Sequence, residues 1–415
     1  MNKPYPCWRI CWTTLIIKQR MSNQTLQQNQ HPTPTMTKTV TLGEICKITS
    51  GGTPNTKNRE YFDGGNIPWV KTGDLKSKNL YAVDEYVTEL GVKNSSAKLF
   101  PKDTVLLAMY GATIGACSIL KIPATTNQAC AAILPNDKIV PDFLYYYLIK
   151  SKKELINSGV GGAQPNISGQ IIKSFPIPLP SLDEQRRIAA LLDRADALRQ
   201  KDRQLLAHYD QLAQSIFLDL FGDPVRNEKG WEQVLLGDVV EVIGKLIDPT
   251  KEPYSSMLHV GGDNIESNSG ELSGMKTAKD LGLQSGKFVF DATCVLYNKI
   301  RPYLNKVAKP NFSGICSADM YPLTPLPHKA NRDFIWSILN SADFVSFASN
   351  VSRRANIPKI NREELASYEM ILPPLSLQTN FAGLIEHIEK QKAVVRQQMA
   401  ASEALFGRLL QESFG

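Results

Sequence analysis

The sequence predicts an α+β fold in which one unit, a mixed α/β globular domain followed by a long helix, occurs twice. The first observation behind this is an internal repeat: residues 40–45 match residues 234–239 at an offset of 194, and residues 180–188 match residues 373–381 at an offset of 193. The second is that each repeat ends in a segment whose apolar residues recur every seven positions, as in a coiled coil. We therefore expect two duplicated globular domains separated by two long antiparallel helices and related by a pseudo-two-fold axis.

Length and composition agree with this organisation. A chain of 415 residues is long for one domain, because domains average roughly 150 residues. Apolar residues make up 42% of the chain and charged residues 21%, which excludes a mainly disordered protein. The net charge of +7 is compatible with a polyanionic partner but does not by itself demonstrate one.

The first predicted segment, residues 1–36, is an extension that precedes the repeat. Its apolar run, residues 7–17, is interrupted by Arg9 and is not followed by a small-residue cleavage site, so it does not resemble a signal peptide. Residues 21–34 are rich in Gln, Asn, Thr and Pro, a composition typical of disorder. We expect this extension to be disordered and to lie outside the fold.

The sequence predicts no contact with a membrane. Its longest uncharged run, residues 105–120, is shorter than the ~20 residues that span a bilayer, and its glycines indicate buried strands joined by a tight turn. The seven cysteines are scattered, and no two of them have CxxC spacing, so no zinc site is predicted. We expect reduced thiols in a cytoplasmic protein.

The two globular domains are predicted at residues 37–180 and 223–374. In the first, short apolar alternations such as residues 67–70 are broken by glycines and prolines, which indicates strands and turns. Residues 143–155 instead have the apolar spacing of a helix. A Pro-rich strand then closes each domain and leads into a long helix.

The long helices are predicted at residues 181–222 and 375–415, the first of them roughly 60 Å long. A seven-residue grid gives each helix an apolar seam. The seam residues are Ile188, Leu191, Leu198, Leu205 and Leu212 in the first helix and Phe381, Leu384, Ile388, Val395 and Leu405 in the second. The nearest surface that covers each seam is the other helix in antiparallel orientation; dimerisation with a second chain is the alternative.

Polar residues interrupt both seams. Asp202 lies on the first grid, and Gln391 and Gln398 lie on the second. Such residues either fix the register of a coiled coil at a cost in stability or face solvent where the helices diverge. The sequence leaves both options open.

Catalytic and cofactor motifs are missing from the sequence. It contains no GxxxxGK[ST] phosphate loop, no GxGxxG at the start of a βαβ unit and no Asn/Asp-Pro-Pro-aromatic tetrapeptide of an adenine methyltransferase. The five histidines are far apart, and neither HExxH nor GxSxG occurs. We therefore predict no catalytic residue, no metal site and no cofactor in this chain; a site assembled from distant residues is the alternative.

Polar, basic and aromatic residues cluster at comparable places in both domains. Lys and Thr suit phosphate contacts, whereas Asn and Arg suit hydrogen bonds to base edges. The candidate DNA-binding residues are Thr53, Asn55, Lys57, Asn58, Arg59, Lys71, Lys76, Lys78, Gln164 and Asn166 in the first domain and Asn298, Lys299, Arg301, Tyr303, Lys306, Arg353, Arg354 and Asn356 in the second. Each patch alone is also compatible with an ordinary solvated loop, but two patches on two duplicated domains favour DNA.

The sequence resembles the specificity subunits of type I restriction-modification systems from about Val40 to the C-terminus. The motifs that carry the resemblance are LGEI at residues 42–45, SGGTP at 50–54, IPWVKTGDL at 67–75, GATIG at 111–115, PLPSLDEQRRI at 178–188 and KIRPYLNK at 299–306. Each motif alone is a weak signal. Their order and the duplication make the resemblance specific.

The resemblance implies two target-recognition domains, each of which reads one half of a bipartite double-stranded DNA target. It also implies that the helices set the gap between the half-sites and hold two methyltransferase subunits, which restriction-translocase subunits join. S-adenosylmethionine, ATP and Mg²⁺ would then act in those partner subunits, and this chain would be a non-catalytic subunit. Two readers on a two-fold rod suit successive major-groove segments about one turn apart.

Two other functions stay open from the sequence. The chain is alternatively a fragment of a fused restriction or methylation enzyme, which would transfer methyl groups by itself. It is alternatively a coiled-coil scaffold without DNA readout, which would assemble without DNA. The half-site sequences depend on loop geometry, which no residue pattern encodes.

Overall fold

The computed structural model describes residues 38–159, 166–352 and 357–414. These residues form two compact units. Unit 1 comprises the described residues up to Ala197 together with those from Glu403 onward, and unit 2 comprises Leu198–Ser402. The predicted N-terminal extension lies outside the described residues.

Unit 1 contains a sheet-based domain and parts of both long helices. Its strands are β1 (Thr39–Thr41), β2 (Ile48–Ser50), β3 (Ile67–Val70), β4 (Asn79–Leu80), β5 (Tyr86–Val87), β6 (Val105–Ala108), β7 (Cys117–Leu120), β8 (Thr125–Thr126), β9 (Cys130–Ile133) and β10 (Pro176–Pro178). Its helices are α1 (Leu42–Ile45), α2 (Glu89–Lys93), α3 (Pro141–Lys150), α4 (Lys152–Asn157), α5 (Gly169–Ser174) and the start of α6 (Leu182–Phe221). The central sheet has the order β2-β9-β6-β7-β4, and a smaller sheet has the order β5-β3-β8.

Strand β6 lies at the centre of unit 1 and is buried on both faces. Val105 and Leu107 belong to the core that contains α3, whereas Leu106 and Ala108 belong to a second core that contains Val70 of β3. Successive side chains of a strand point to opposite faces, so two cores require an unbroken apolar run. The uncharged run beginning at residue 105 is therefore two antiparallel strands, β6 and β7, and not a membrane segment.

Unit 2 contains the second globular domain. Its strands are β11 (Glu232–Leu235), β12 (Val240–Val242), β13 (Leu246–Ile247), β14 (Leu258–Val260), β15 (Lys276–Thr277), β16 (Lys287–Phe290), β17 (Val295–Asn298), β18 (Val307–Ala308), β19 (Gly314–Cys316), β20 (Met320–Pro325) and β21 (Glu369–Leu372). Its helices are α7 (Arg332–Leu339), α8 (Ala342–Val351), α9 (Arg362–Ala366) and most of α10 (Leu375–Phe414).

The two domains share one topology. The sheet order β12-β20-β17-β18 reproduces the order β2-β9-β6-β7. Strand β14 is parallel to β19 and antiparallel to β15, just as β3 is parallel to β8 and antiparallel to β5. The first and last strands of each domain pair antiparallel, with Val40 opposite Ile177 and Val234 opposite Met370, positions related by the repeat offsets. The predicted duplication is confirmed.

The long helices α6 and α10 contain 40 residues each and pair in antiparallel orientation within unit 2. The Lys392 ammonium lies 2.8 Å from the Asp210 carboxylate, and the Ser402 hydroxyl donates to Asp202 at 2.9 Å. Residue numbers rise along one helix as they fall along the other, which confirms the predicted orientation. Among the described helices, none is long and apolar enough to cross a membrane.

One row of the predicted helix seam is wrong by one residue. Leu198, Leu205 and Leu212 are 39%, 38% and 45% exposed, and Leu384 and Leu405 are exposed as well. The buried row follows one position later, at Leu192 in α6 and at Ile385, Lys392 and Phe406 in α10, whereas Ile188, Phe381, Ile388 and Val395 are buried as predicted.

The error has a physical reason. Both rows repeat every seven residues, so periodicity alone does not decide between spacings of three and four after the first row. The exposed row carries more leucines than the buried row. Among the polar seam residues, Asp202 is buried and bonded to Ser402, whereas Gln391 is exposed.

Candidate nucleic-acid interface

Backbone hydrogen bonds hold several loops of unit 1 together at one end of its central strands. The Asn127 N–H donates to the Val70 carbonyl at 2.9 Å, the Met109 N–H to the Ala129 carbonyl at 2.9 Å, and the Ile167 N–H to the Met109 carbonyl at 2.8 Å. We call the loops joined in this way loop cluster 1. It consists of residues 51–59, 71–76, 109–116, 127–129 and 166–167.

Unit 2 repeats these bonds at equivalent positions. The Ser317 N–H donates to the Val260 carbonyl at 3.0 Å, the Lys299 N–H to the Asp319 carbonyl at 3.1 Å, and the Ile360 N–H to the Lys299 carbonyl at 3.1 Å. Loop cluster 2 therefore consists of residues 261–264, 299–306, 317–319 and 357–360. Each unit has one set of loops on the same backbone frame.

In loop cluster 1, a polar turn carries five of the predicted residues. Asn58 caps the turn, because its Oδ1 accepts from the Glu60 N–H at 3.2 Å, and the Thr53 hydroxyl is bonded to Gln128. The side chains of Asn55, Lys57 and Arg59 are exposed. The Asn55 Oδ1 accepts from the Lys57 N–H at 3.1 Å, so the side-chain NH2 group of Asn55 and the side chains of Lys57 and Arg59 stay available to a partner.

The three predicted lysines that follow β3 differ in their surroundings. Lys71 is ion-paired with Glu85 and lies 5.6 Å from the Trp69 ring centroid, whereas Lys76 is exposed. Lys78 is only 10% exposed and is ion-paired with Asp142 and Asp193. Two carboxylates inside unit 1 already hold the Lys78 ammonium group, which disfavours the predicted contact with DNA.

The hairpin of loop cluster 1, residues 109–116, presents backbone and small side chains. Gly111 and Gly115 have φ angles of +84° and +75°, a region that residues with a Cβ rarely adopt. Gly111 and Ala112 are exposed, and the segment contains no charged residue. This hairpin can contact a partner through its peptide groups and through Thr113.

The hairpin of loop cluster 2, residues 299–306, is basic, but its lysines are used inside the unit. The Lys299 Nζ donates to the Ala318 carbonyl at 2.7 Å, and the Lys306 Nζ donates to the Gly262 carbonyl at 2.6 Å. Burial lowers the pKa of Lys299, and the Asp319 carboxylate offsets this in part. Asn298 is buried and donates to the Ile300 carbonyl at 3.1 Å. These side chains hold the hairpin through hydrogen bonds inside unit 2.

Two side chains of the same hairpin project outward. Arg301 and Tyr303 are exposed. The backbone of Arg301 has a φ of +51°, and its N–H donates to the Pro358 carbonyl at 2.7 Å. A left-handed backbone costs a residue with a Cβ roughly 1–2 kcal/mol, and such strain clusters at functional sites. Arg301 is thus held at the tip of a rigid turn.

The remaining predicted residues lie beside or outside the described loops. Asn166 is exposed next to Ile167 in loop cluster 1. Gln164, Arg353, Arg354 and Asn356 lie outside the described residues.

The structure also adds residues that the sequence analysis missed. Asn127 and Gln128 follow β8 in loop cluster 1; Gln128 is exposed, and the Asn127 Oδ1 has no hydrogen-bond partner among the described residues. In loop cluster 2, Lys359 is exposed and forms an isolated bridge with Ile300. No sequence motif marks these positions. These residues are far along the chain from the other loops of their clusters, so the sequence does not show that they lie close to those loops.

The described residues contain no group of three or more His, Cys, Asp or Glu side chains that could hold a metal ion. Cys46, Cys117, Cys130, Cys294 and Cys316 are unpaired and buried. Burial raises the pKa of the Cys117 and Cys130 thiols to about 12, which keeps both protonated and unreactive.

Comparisons with known proteins agree with the duplicated architecture. A family model described as "Type I restriction modification DNA specificity domain" matches residues 34–207 and again residues 228–400. A specificity subunit of type I restriction enzyme MjaIX from Methanocaldococcus jannaschii is 34% identical over 51% of this chain and 54% of its own length. That of EcoDI from Escherichia coli is 27% identical over 90% of this chain and 86% of its own. The chain thus spans about half the length of the first relative.

Solved structures show the same fold. The crystal structure of a type I restriction-modification system S subunit from M. genitalium superposes with a TM-score of 0.56 at 12% identity, covering 94% of this chain and 98% of the other. A chain from a study of complex assembly and conformational transition of the type I R-M system gives 0.52 at 17% identity, covering 92% and 99%.

Proposed function

We propose that this chain, which belongs to the family of type I restriction-modification DNA specificity proteins, selects the DNA sequence on which a type I restriction-modification complex acts. The observation that carries the proposal is the duplicated loop cluster. Six equivalent backbone hydrogen bonds hold two sets of loops on one frame, while the exposed side chains of the two sets differ. Such an arrangement suits two readers of two different half-sites.

Each loop cluster reads one half of a bipartite double-stranded DNA target. In loop cluster 1, Lys57, Arg59 and Lys76 contact phosphates and Asn55 contacts a base edge. In loop cluster 2, Arg301 contacts a base edge and Tyr303 packs against the DNA backbone or a base. Phosphate contacts give affinity for any sequence, so the few base contacts decide specificity.

The long helices serve protein partners. Leu198, Leu205 and Leu212 lie seven residues apart on α6, so they form one exposed apolar stripe within unit 2. We assign this stripe to a methyltransferase subunit, with restriction-translocase subunits joining the same complex. The chemistry, and with it S-adenosylmethionine, ATP and Mg²⁺, then belongs to those subunits, and this chain is non-catalytic.

Methylome sequencing with long reads tests the proposal in cells that carry or lack the gene. We expect methylation at one asymmetric motif made of two constant segments separated by a fixed gap, and its loss when the gene is removed. Methylated sites without two separated segments contradict the proposal. An unchanged methylation pattern supports the scaffold alternative.

A second experiment separates a subunit from a fused enzyme. The purified chain is expected to bind DNA weakly by itself and to become specific when a methyltransferase subunit is added. Methyl transfer from S-adenosylmethionine by the purified chain alone would instead support the enzyme alternative.

A further inference from the structure

We propose that, in addition to the apolar core and a buried glutamine that attach each globular domain to its long helix, a second polar attachment, Lys78 with Asp193 in unit 1 and Glu271 with Arg396 in unit 2, fixes which spacer length between half-sites is accepted. The proposal rests on the proposed function. It assigns these four residues a positioning role, since none of them belongs to a loop cluster.

The first attachment in unit 1 is a fully buried glutamine at the start of α6. The Gln185 Oε1 accepts from the Val140 N–H at 2.8 Å, and its Nε2 donates to the Lys138 and Pro180 carbonyls at 3.1 and 3.0 Å. One amide thus joins the helix, the segment before α3 and the end of the closing strand.

Unit 2 repeats this joint. The Gln378 Oε1 accepts from the Asn331 N–H at 2.8 Å, and its Nε2 donates to the Pro373 and Lys329 carbonyls at 2.8 and 3.3 Å. Gln378 is fully buried as well. The joint is therefore the same in both copies and cannot distinguish them.

The second attachment in unit 1 is an ion pair between the β3–β5 connection and α6. The Lys78 ammonium lies 2.6 Å from the Asp142 carboxylate of α3 and is also paired with Asp193 of α6, to which the Tyr146 hydroxyl donates at 2.6 Å. Asp193 follows Gln185 by about 12 Å along the helix at about 1.5 Å per residue. Two side chains of the domain, Lys78 and Tyr146, therefore converge on one carboxylate of the helix.

The corresponding connection of unit 2, between β14 and β15, is joined to α10 with the charges reversed. The Arg396 Nε lies 3.2 Å from the Glu271 carboxylate, and the Glu389 carboxylate of the same helix lies 3.8 Å from the Arg396 Nη1. Arg396 follows Gln378 by about 27 Å along the helix. The domain now supplies the acid and the helix supplies the base.

Apolar contacts also hold each domain on its helix, since Leu192 of α6 and Phe381 of α10 are buried in the cores of their units. An ion pair is directional, so the pair between domain and helix restricts small rotations that the apolar contacts permit. Adjacent base pairs are about 3.4 Å apart. A small rotation of the domain on its helix therefore moves its loop cluster by a base-pair step, without changing the side chains that read the bases.

The test uses the full complex with a methyltransferase subunit and a DNA library in which both half-sites are constant and the spacer varies by one or two base pairs. Asp193→Asn, Lys78→Met and Arg396→Met are compared with the unchanged chain. We expect each variant to keep its half-site bases and to lose about two- to fivefold of the preference for the correct spacer over its neighbours, because the carboxylates of both ion pairs are partly exposed. Lys78→Arg, which retains the ion pair, is expected to restore the preference.

Lys121→Met and Lys309→Met are matched controls, because they remove the Lys121–Asp103 and Lys309–Asp333 ion pairs, which lie within a domain and do not reach a long helix. We expect both controls to keep the spacer preference. Unchanged spacer preference in the three variants overturns the inference. Loss of half-site readout with an unchanged spacer preference also overturns it, because that result indicates a merely structural role. If the complex that contains the unchanged chain methylates no bipartite site, the proposed function itself is contradicted.

Discussion

The hairpins at residues 109–116 and 299–306 occupy equivalent places in the two units and differ in almost every side chain. Each hairpin begins with a residue whose backbone N–H donates to the loop before β9 or β20 and whose carbonyl accepts from the segment before α5 or α9. The first hairpin exposes glycine and alanine, whereas the second exposes Arg301 and Tyr303. Because backbone bonds hold the frame, side chains at the tip are free to differ.

In the basic hairpin at residues 299–306, some polar side chains hold the loop and others are exposed to a partner. Of the four polar residues Lys299, Arg301, Asn305 and Lys306, only Arg301 is exposed. The two lysines bond carbonyls of neighbouring loops, and Asn305 is buried with a φ of +46°. In the first unit, Gly111 and Gly115 adopt the positive φ angles of the turn, and no lysine in the part of the chain that the structure describes bonds this hairpin to a neighbouring loop.

Both units bury an apolar row of their long helix, so equivalent mutations in the two rows are expected to lower stability equally. This is the largest effect that we predict. Leu192→Ala in α6 and Ile385→Ala in α10 each remove a buried side chain. We expect each to lower the free energy of unfolding by about 3 kcal/mol, because a buried aliphatic side chain truncated to alanine leaves a cavity. Urea unfolding of the full chain measures the loss.

Neighbouring residues of the same helices provide the controls. Leu191→Ala and Leu384→Ala remove side chains from the adjacent, more exposed row, and we expect losses below about 1 kcal/mol. If Leu384→Ala lowers the free energy of unfolding more than Ile385→Ala does, the seam position that the sequence predicted for Leu384 is correct after all. A large loss in one helix only would show that the two copies do not share the seam.

The hairpin tips differ between the two units, so a mutation at one tip is expected to affect only the half-site that its unit reads. Arg301→Ala removes the exposed arginine at the hairpin tip of loop cluster 2, and a bidentate arginine contact contributes about 1–3 kcal/mol of base discrimination. We expect roughly a tenfold loss of sequence preference at one position of the half-site read by unit 2, with the other half-site unchanged. Methylome sequencing of cells that carry the variant measures both halves at once.

Lys299→Met is the comparison for this experiment. Its ammonium bonds the Ala318 carbonyl, so we expect the variant to lose stability and to leave the preferred bases unchanged. An equal change in both half-sites after Arg301→Ala would contradict the assignment of loop cluster 2 to one half-site.

The sequence was sufficient for features that depend on order along the chain. The repeat offsets predicted which strands pair, since Val40 and Val234 face equivalent partners. The helices predicted at residues 181–222 and 375–415 correspond to α6 and α10, because a Pro-rich strand precedes each of them and Gly222 follows the first.

Features that depend on partners distant in the chain were not predictable. Lys76 and Lys78 lie in the same short segment of the sequence. Lys78 differs because it bonds Asp193, which lies 115 residues farther along the chain. Lys299 and Lys306 are similar, because their acceptors are carbonyls of other loops. The choice between Leu191 and Leu192 in the seam needed the packing of α6 against the rest of unit 1, which a seven-residue period does not encode.

The smallest predicted effect concerns the left-handed residues at the two hairpin tips. Gly111 has a φ of +84° and no atom near the position of an added Cβ, so Gly111→Ala tests backbone strain without a steric clash. We expect it to lower the free energy of unfolding by about 1 kcal/mol. Arg301→Gly is expected to raise it by a few tenths of a kcal/mol to about 1 kcal/mol, because the relief of strain outweighs the entropy that glycine adds to the unfolded chain. Thermal or urea unfolding measures both.

Gly73 is the control for this pair, because it has an ordinary φ and no neighbour within reach of an added Cβ. Gly73→Ala is therefore expected to be neutral or to stabilise slightly. If Gly111→Ala behaves like Gly73→Ala, the first hairpin tip tolerates side chains. Backbone strain then does not explain why the tip has no charged residue, and the half-site that it reads is the better explanation. If Gly111→Ala is destabilising and Arg301→Gly is stabilising, the second unit keeps its arginine in a strained conformation at a cost in stability, and that cost identifies Arg301 as a residue retained for contact with a partner.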